Sequence, residues 1–155
     1  MVFVFCIWQQ PEYGPDARSL SIRAADRAGD IAGMAVAERL YADIERGRGT
    51  VQGVLYAVSG FDLQALDYYE GAPTVYARHL VTVYCNGKGY RAYTYIMTPA
   101  TVRRRRGIPF PEKYRMICAA AAAEHHLHIP EFTEGRCSHD NGKNNRLRHT
   151  EARLP

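Results

Sequence analysis

Hydrophobic and polar positions along the chain predict four strands. The β-branched and aromatic run Val51–Val58 is typical of a buried strand, and Val2–Phe5 has the same character. Two further apolar runs, Tyr76–Tyr84 and Tyr90–Met97, are separated by Asn86-Gly87-Lys88-Gly89. Because Asn-Gly is a strong signal for a tight turn, these two runs predict a β-hairpin.

A short helix is predicted between the second strand and this hairpin. Leu63 and Leu66 fall on one face of it, and Asp62 is placed to cap its start. Gly71 supplies a C-terminal stop, so Glu70 lies in the last turn. The helix dipole is negative there and tends to raise the pKa of a carboxylate, which suits a general base working near neutral pH. The alternative is a solvated helix-end carboxylate without a chemical role.

Two longer segments also predict helices. Glu112–Leu127 combines a run of alanines with apolar side chains at helical spacing, namely Tyr114, Ile117, Cys118 and Ala121. Ser21–Arg46 is rich in Ala, Arg, Asp and Glu and is predicted as a helix, although Gly29 and Gly33 weaken it. These helices and the strands together predict an α+β fold.

Composition indicates one globular domain. The chain has 155 residues, of which 46% are hydrophobic and 23% charged, as in ordinary soluble proteins. We expect a single domain over residues 1–132 and a polar, poorly ordered tail over 133–155. No apolar run approaches the length needed to span a membrane, and no signal peptide is recognisable. Four scattered cysteines without a C-x-x-C pair are expected to be reduced thiols of a cytoplasmic protein.

Two polar clusters are not expected to bind a partner. The run Arg103–Arg106 carries much of the net charge of +4, but no aromatic residues interleave with it. A solvated loop is therefore favoured over a nucleic-acid-binding surface. The second cluster has no spacing of a usual closed zinc site, so we expect no metal there. It consists of His125, His126, His128, Cys137 and His139.

The order of these segments resembles the γ-glutamylcyclotransferase-like (AIG2-like) family. The matching features are a strand at Val51–Val58, the motif Asp-x-x-Glu-Gly ending at Gly71, and a Tyr-x-Arg strand start at Tyr76. The run Ala-Tyr-Thr-Tyr-Ile-Met ending at Met97 follows, and then Pro-Glu-Lys-Tyr and its helix. The resemblance covers about Val51–Phe132, just over half of the chain.

This resemblance implies a small mixed β-barrel with flanking helices and an enzymatic activity. Family members convert a γ-glutamyl amine or amino acid into 5-oxoproline and the free amine, with neither cofactor nor metal. Glu70 matches the catalytic acid/base of the family. Tyr95 matches a tyrosine beside the substrate, and a core aromatic on a strand is the alternative. The expected partner is a small γ-glutamyl compound; the sequence leaves its identity and the oligomeric state open.

One expected motif is absent. Family members follow the first strand with Tyr-Gly-Ser-Asn, whose backbone amides hold the substrate carboxylate. This chain has Cys6-Ile7-Trp8-Gln9-Gln10 instead. With permitted codons, removal of one nucleotide after Phe5 changes the following residues to Ala-Tyr-Gly-Ser-Asn, so we hypothesise compensating frame changes across about Cys6 to Leu40. A catalytically impaired binding or vestigial domain is the alternative function, and resequencing this stretch of DNA tests the frame hypothesis.

Overall fold

Five strands and four helices form the part of the chain that the computed structural model describes, residues 2–6 and 23–133. The strands are β1 (Val2–Cys6), β2 (Arg23–Arg39), β3 (Tyr41–Val58), β4 (Tyr76–Cys85) and β5 (Lys88–Met97). The helices are α1 (Gly60–Tyr69), α2 (Pro99–Arg105), α3 (Glu112–Glu124) and α4 (Pro130–Thr133). The α+β class predicted from the sequence is confirmed.

The strands curl into a loosely closed barrel in the order β1-β3-β2-β4-β5. All neighbours are antiparallel except β1 and β5, which are parallel and meet at the pair Val4 and Tyr93. A single pair, Asp30 with Tyr84, likewise joins β2 to β4. Because these two seams are short, the barrel consists of two well-paired layers that touch at their edges. The four predicted strands share this sheet, as expected.

The β4–β5 hairpin forms where the local sequence predicts it. Cys85 pairs with Lys88 across a two-residue turn. Asn86 and Gly87 in that turn have φ angles of 50° and 76°. Both values lie in the left-handed region that Asn and Gly tolerate best, and that region matches the twist of a hairpin.

The predicted helix over Ser21–Arg46 is wrong. Arg23–Arg39 and the first part of β3 form an antiparallel pair that reverses at Leu40, with φ of 65°. Gly29 packs inside the barrel, where a Cβ atom would lie 2.6 Å from Cγ1 of Val83. The strand is specified by its pairing with β3, whereas the local composition of Ala, Arg and Glu favours a helix.

The core lies inside the barrel and under α3. Tyr114, Cys118 and Ala122 are the buried residues of α3, which ends three residues before the predicted Leu127. The Tyr114 hydroxyl accepts a hydrogen bond from the N–H of Ala42 at 2.9 Å and so ties the helix to β3. No helix of the described part is long and apolar enough to cross a membrane. The predicted tail over 133–155 lies outside the described residues except for Thr133, which ends α4, so its poor order stays a prediction.

Candidate active site

The start of α1 is fixed by a reciprocal pair of hydrogen bonds. The Ser59 side chain accepts from the N–H of Asp62 at 3.1 Å, and the Asp62 carboxylate accepts from the N–H of Ser59 at 3.0 Å. This is a capping box, in which Ser59 is the N-cap and Asp62 the third helical residue. The predicted role of Asp62 as the cap itself is therefore corrected. The pair fixes where α1 begins, directly after the end of β3.

The end of α1 fixes Glu70. The N–H of Glu70 donates to the carbonyl of Leu66 at 2.8 Å, and Glu70 is the C-cap residue. Gly71 then takes a φ of +63°, and its carbonyl accepts from the N–H of Val75 at 2.8 Å. A side chain at Gly71 would be strained in this conformation and would crowd Val75. The turn therefore fixes the backbone of Glu70 shortly before the start of β4.

Burial raises the pKa of Glu70 from 4.5 to about 7. The direction is the one that the helix position predicts, but removal from water is the cause here, not the helix dipole. A carboxylate with this pKa exchanges its proton readily near neutral pH. Glu70 therefore has the property that a general acid/base requires.

Tyr95 is held by Asp67, three residues before Glu70. The Tyr95 hydroxyl donates to Oδ1 of Asp67 at 2.7 Å, and Nη1 of Arg78 donates to Oδ2 at 2.9 Å. Burial, followed by the hydrogen bond to Asp67, raises the pKa of Tyr95 far above its usual range. The hydroxyl thus stays protonated, and Asp67 orients both Tyr95 and Arg78.

Tyr76, the first residue of β4, lies within electrostatic reach of Glu70. Its hydroxyl donates to the carbonyl of Ala42 at 3.3 Å. Its pKa is raised first by burial and then by the negative charges of Glu70 and Asp43. The charge of Glu70 also raises the pKa of Tyr95. Glu70 is therefore within electrostatic reach of the hydroxyls of the buried Tyr76 and the half-buried Tyr95.

Asp43 is a buried carboxylate that the sequence interpretation missed. Its Oδ1 accepts from the N–H of Met97 at 2.8 Å, and its Oδ2 pairs with Arg39 at 2.7 Å. Burial raises its pKa, and these partners oppose that shift. The residue lay inside the wrongly predicted helix, so no local signal identified it. Asp43 connects the start of β3 to the end of β5.

The arginine run belongs to a helix. Arg103–Arg105 form the last turn of α2, so the predicted loop is corrected. Arg103, Arg104 and Arg106 are exposed, whereas Arg105 is half-buried. In residues 2–6 and 23–133, no three His, Cys, Asp or Glu side chains gather around a common point. Cys137 and His139 lie outside this part, as does most of the expected anion loop, Ile7–Gln10.

An open cleft of about 680 Å³ adjoins the site region. Apolar side chains line much of it, among them Met34, Ile44, Leu80, Val81 and Val102. Asp43 and Met97 belong to its lining, and Glu70 does not. The candidate site is thus defined by the Glu70 carboxylate and its tyrosine neighbours, and the cleft is a separate feature.

Comparison with known proteins identifies a family. The sequence model of the family described as "Gamma-glutamyl cyclotransferase, AIG2-like" matches residues 16–115. The match includes Glu70 and Tyr95 and begins downstream of Cys6–Gln10. The match also includes residues 16–40, which are most of the stretch for which compensating frame changes are hypothesised. Only residues 1–15 lie upstream of the match. No curated protein matches the chain.

Several solved structures have the same fold. One is a gamma-glutamyl cyclotransferase, with a TM-score of 0.63, 18% identity and 94% of each chain covered. An uncharacterized Homo sapiens protein has a TM-score of 0.60 at 18% identity, covering 85% of this chain and 84% of that chain. An AIG2-like protein from Mus musculus has a TM-score of 0.50 at 20% identity, with 72% and 86% covered. At these identities the likeness establishes the fold alone.

Proposed function

Because the chain belongs to the gamma-glutamyl cyclotransferase, AIG2-like family, we propose that it converts a γ-glutamyl amine or γ-glutamyl amino acid into 5-oxoproline and the free amine. The observation that carries this proposal is the pKa of Glu70, which burial raises to about 7. A solvated helix-end carboxylate would keep its ordinary acidity. Glu70 is instead suited to take up and return a proton near neutral pH.

The reaction needs proton transfer more than a protein nucleophile. The substrate's α-amine attacks its own γ-carbonyl carbon, so the ring C–N bond forms and the bond to the leaving amine breaks. The attack is intramolecular and closes a five-membered ring, so orientation supplies much of the rate. The α-ammonium loses two protons on becoming the lactam N–H, and Glu70 accepts them one at a time and delivers each to the leaving nitrogen, which departs as an ammonium ion. Atoms and charges balance, and the carboxylate is regenerated.

Tyr95 is proposed to bind the substrate. Its hydroxyl is half-buried, protonated and held by Asp67 at 2.7 Å. A fixed, neutral hydroxyl orients a polar substrate group without introducing a charge beside Glu70. Tyr93 lies two residues away on β5 under Arg78, with 4.8 Å between the guanidinium carbon and the ring centroid. Tyr93→Phe is therefore a matched control for Tyr95→Phe, and only Tyr95→Phe is expected to raise KM.

The test is release of 5-oxoproline from a panel of γ-glutamyl amines and amino acids. Glu70→Gln keeps the shape of the side chain but cannot accept a proton, so turnover is expected to fall by about 10²- to 10⁴-fold. Glu124→Gln is the matched control, because Glu124 also ends a helix but is exposed. Equal turnover by wild type and Glu70→Gln would remove Glu70 from the mechanism.

The absent Tyr-Gly-Ser-Asn loop favours a second candidate, a binding domain with impaired catalysis. Such a protein would bind 5-oxoproline without releasing it from any γ-glutamyl compound. The turnover assay separates the two candidates. Release that depends on Glu70 supports the enzyme, and binding without release supports the impaired domain.

A further inference from the structure

Arg105 differs from the other three arginines of its run. Its guanidinium carbon lies 5.3 Å from the centroid of the Tyr41 ring, so the side chain turns back onto the barrel. Its Nη1 is closed off from solvent and has no hydrogen-bond partner in the part of the chain that the structure describes. Among the described residues, no other buried side-chain nitrogen or oxygen lacks a partner.

No carboxylate of residues 2–6 and 23–133 forms an ion pair with Arg105. The four ion pairs of the described part use Arg39, Arg78 and Arg115 as their cations. Contact with the Tyr41 ring supplies no hydrogen-bond acceptor to the one buried nitrogen of this half-buried side chain. Because buried charged groups are normally paired and hydrogen-bonded, the partnerless nitrogen of Arg105 points to an anion that the described part of the chain does not supply.

The helix that carries Arg105 is attached to the turn that follows Glu70. The N–H of Thr98 donates to the carbonyl of Val75 at 3.0 Å, and its hydroxyl donates to the carbonyl of Thr74 at 2.9 Å. Thr98 is the N-cap of α2, so these bonds fix where the helix begins. From that point α2 runs to Arg105 at its other end.

Tyr76 links the region of Glu70 to the region of Arg105. Its hydroxyl bonds to Ala42, the residue after the Tyr41 on which Arg105 lies. The charges of Glu70 and Arg105 act on this hydroxyl in opposite directions, Glu70 raising its pKa and Arg105 lowering it. Glu70 and Arg105 are therefore both within electrostatic reach of the Tyr76 hydroxyl.

We propose that Arg105 pairs with the carboxylate of the γ-glutamyl substrate. This inference rests on the proposed function and assigns a carboxylate-binding residue to it. A guanidinium binds a carboxylate through two parallel N–H donors and keeps its charge at every relevant pH. The pairing supplies the anion contact for which Cys6–Gln10 lacks the expected motif. It also places the α-amine, which neighbours that carboxylate in the substrate, toward Glu70.

Calorimetric titration with two ligands tests the pairing. 5-Oxoproline carries the carboxylate, and 2-pyrrolidinone is the same ring without it. Wild type is expected to bind 5-oxoproline at least about 10-fold more tightly than 2-pyrrolidinone, the minimum for a charge-assisted contact. Arg105→Gln is expected to remove this difference, and Arg106→Gln, in the exposed next position, to keep it. An undiminished difference in Arg105→Gln, or none in wild type, would overturn the proposal.

Two further measurements make the result unambiguous. Thermal melting checks that Arg105→Gln is folded, and Arg105→Lys retains the charge and should restore part of the preference for 5-oxoproline. Turnover measured on the same proteins separates this inference from the proposed function. If the wild type is active and Arg105→Gln has an unchanged KM, the Arg105 pairing is rejected and the proposed function is kept. Selective 5-oxoproline binding through Arg105 without turnover upholds the pairing and rejects the enzyme.

Discussion

Glu70 combines two opposing properties, a buried position and a carboxyl group that ionises near neutral pH. Burial alone raises its pKa to about 7, and no neighbouring cation among the described residues offsets the shift. The folded state therefore binds the Glu70 proton more tightly than the unfolded chain does. The free energy of unfolding and the proposed proton transfer therefore both depend on the protonation state of Glu70.

The pH dependence of stability follows from this shift. Below pH 4.5 the carboxyl is protonated in both states and costs nothing. Between pH 4.5 and about 7 the unfolded chain loses this proton while the folded state keeps it, which costs up to about 3 kcal/mol of stability, and the cost stays constant above pH 7. Glu70→Gln removes that cost, so its melting temperature is expected to exceed that of wild type at pH 8 and to match it at pH 4. A constant difference at both pH values would contradict the burial of Glu70.

At the scale of elements, local signals were sufficient wherever a turn or cap defines the structure. The β4–β5 hairpin and the stop at Gly71 follow from residues that need left-handed backbone, and both could be predicted. β2 could not, because its alternating small and charged residues have helix propensity and its partner β3 lies later in the chain. For the same reason Asp43 was not identified and Arg105 was predicted to be solvated. The burial of both residues depends on contacts between elements that are distant in the sequence.

Substitution at Gly29 tests the placement of β2. A Cβ atom there would lie 2.6 Å from Cγ1 of Val83 and 2.7 Å from Sγ of Cys85. Gly29→Val is therefore expected to destabilise the protein by about 1–3 kcal/mol through overpacking. Ala28→Val, at the exposed neighbouring position, is the control and should have little effect. Equal melting temperatures of the two variants would show that β2 does not occupy this place in the barrel.

On the scale of the whole molecule, the family match and the barrel agree over most of the chain. The match begins at residue 16, so the stretch in which the sequence departs from the family lies upstream, around Cys6–Gln10. The proposed frame change stays a prediction. The barrel and α1 position Glu70, whereas the expected anion-binding loop belongs to the departing stretch.

Restoring the hidden residues tests how much this stretch limits the protein. Replacing Cys6–Gln10 with Ala-Tyr-Gly-Ser-Asn is expected to lower KM for a γ-glutamyl substrate at least about 10-fold, because backbone amides would then hold the carboxylate. The effect of Arg105→Gln should become smaller in this protein, since the two contacts share one carboxylate. An unchanged KM would show that the native residues of Cys6–Gln10 do not limit binding.

The central claim is that the Glu70 carboxylate, with its pKa raised to about 7, accepts the substrate's proton. Its most direct test is the pH dependence of kcat/KM for a γ-glutamyl substrate between pH 5 and 8. Because the base must be ionised, kcat/KM is expected to fall about 10-fold per pH unit well below 7 and to level off as pH approaches 8. A profile that is flat down to pH 5, as an ordinary solvated glutamate would give, would contradict the claim.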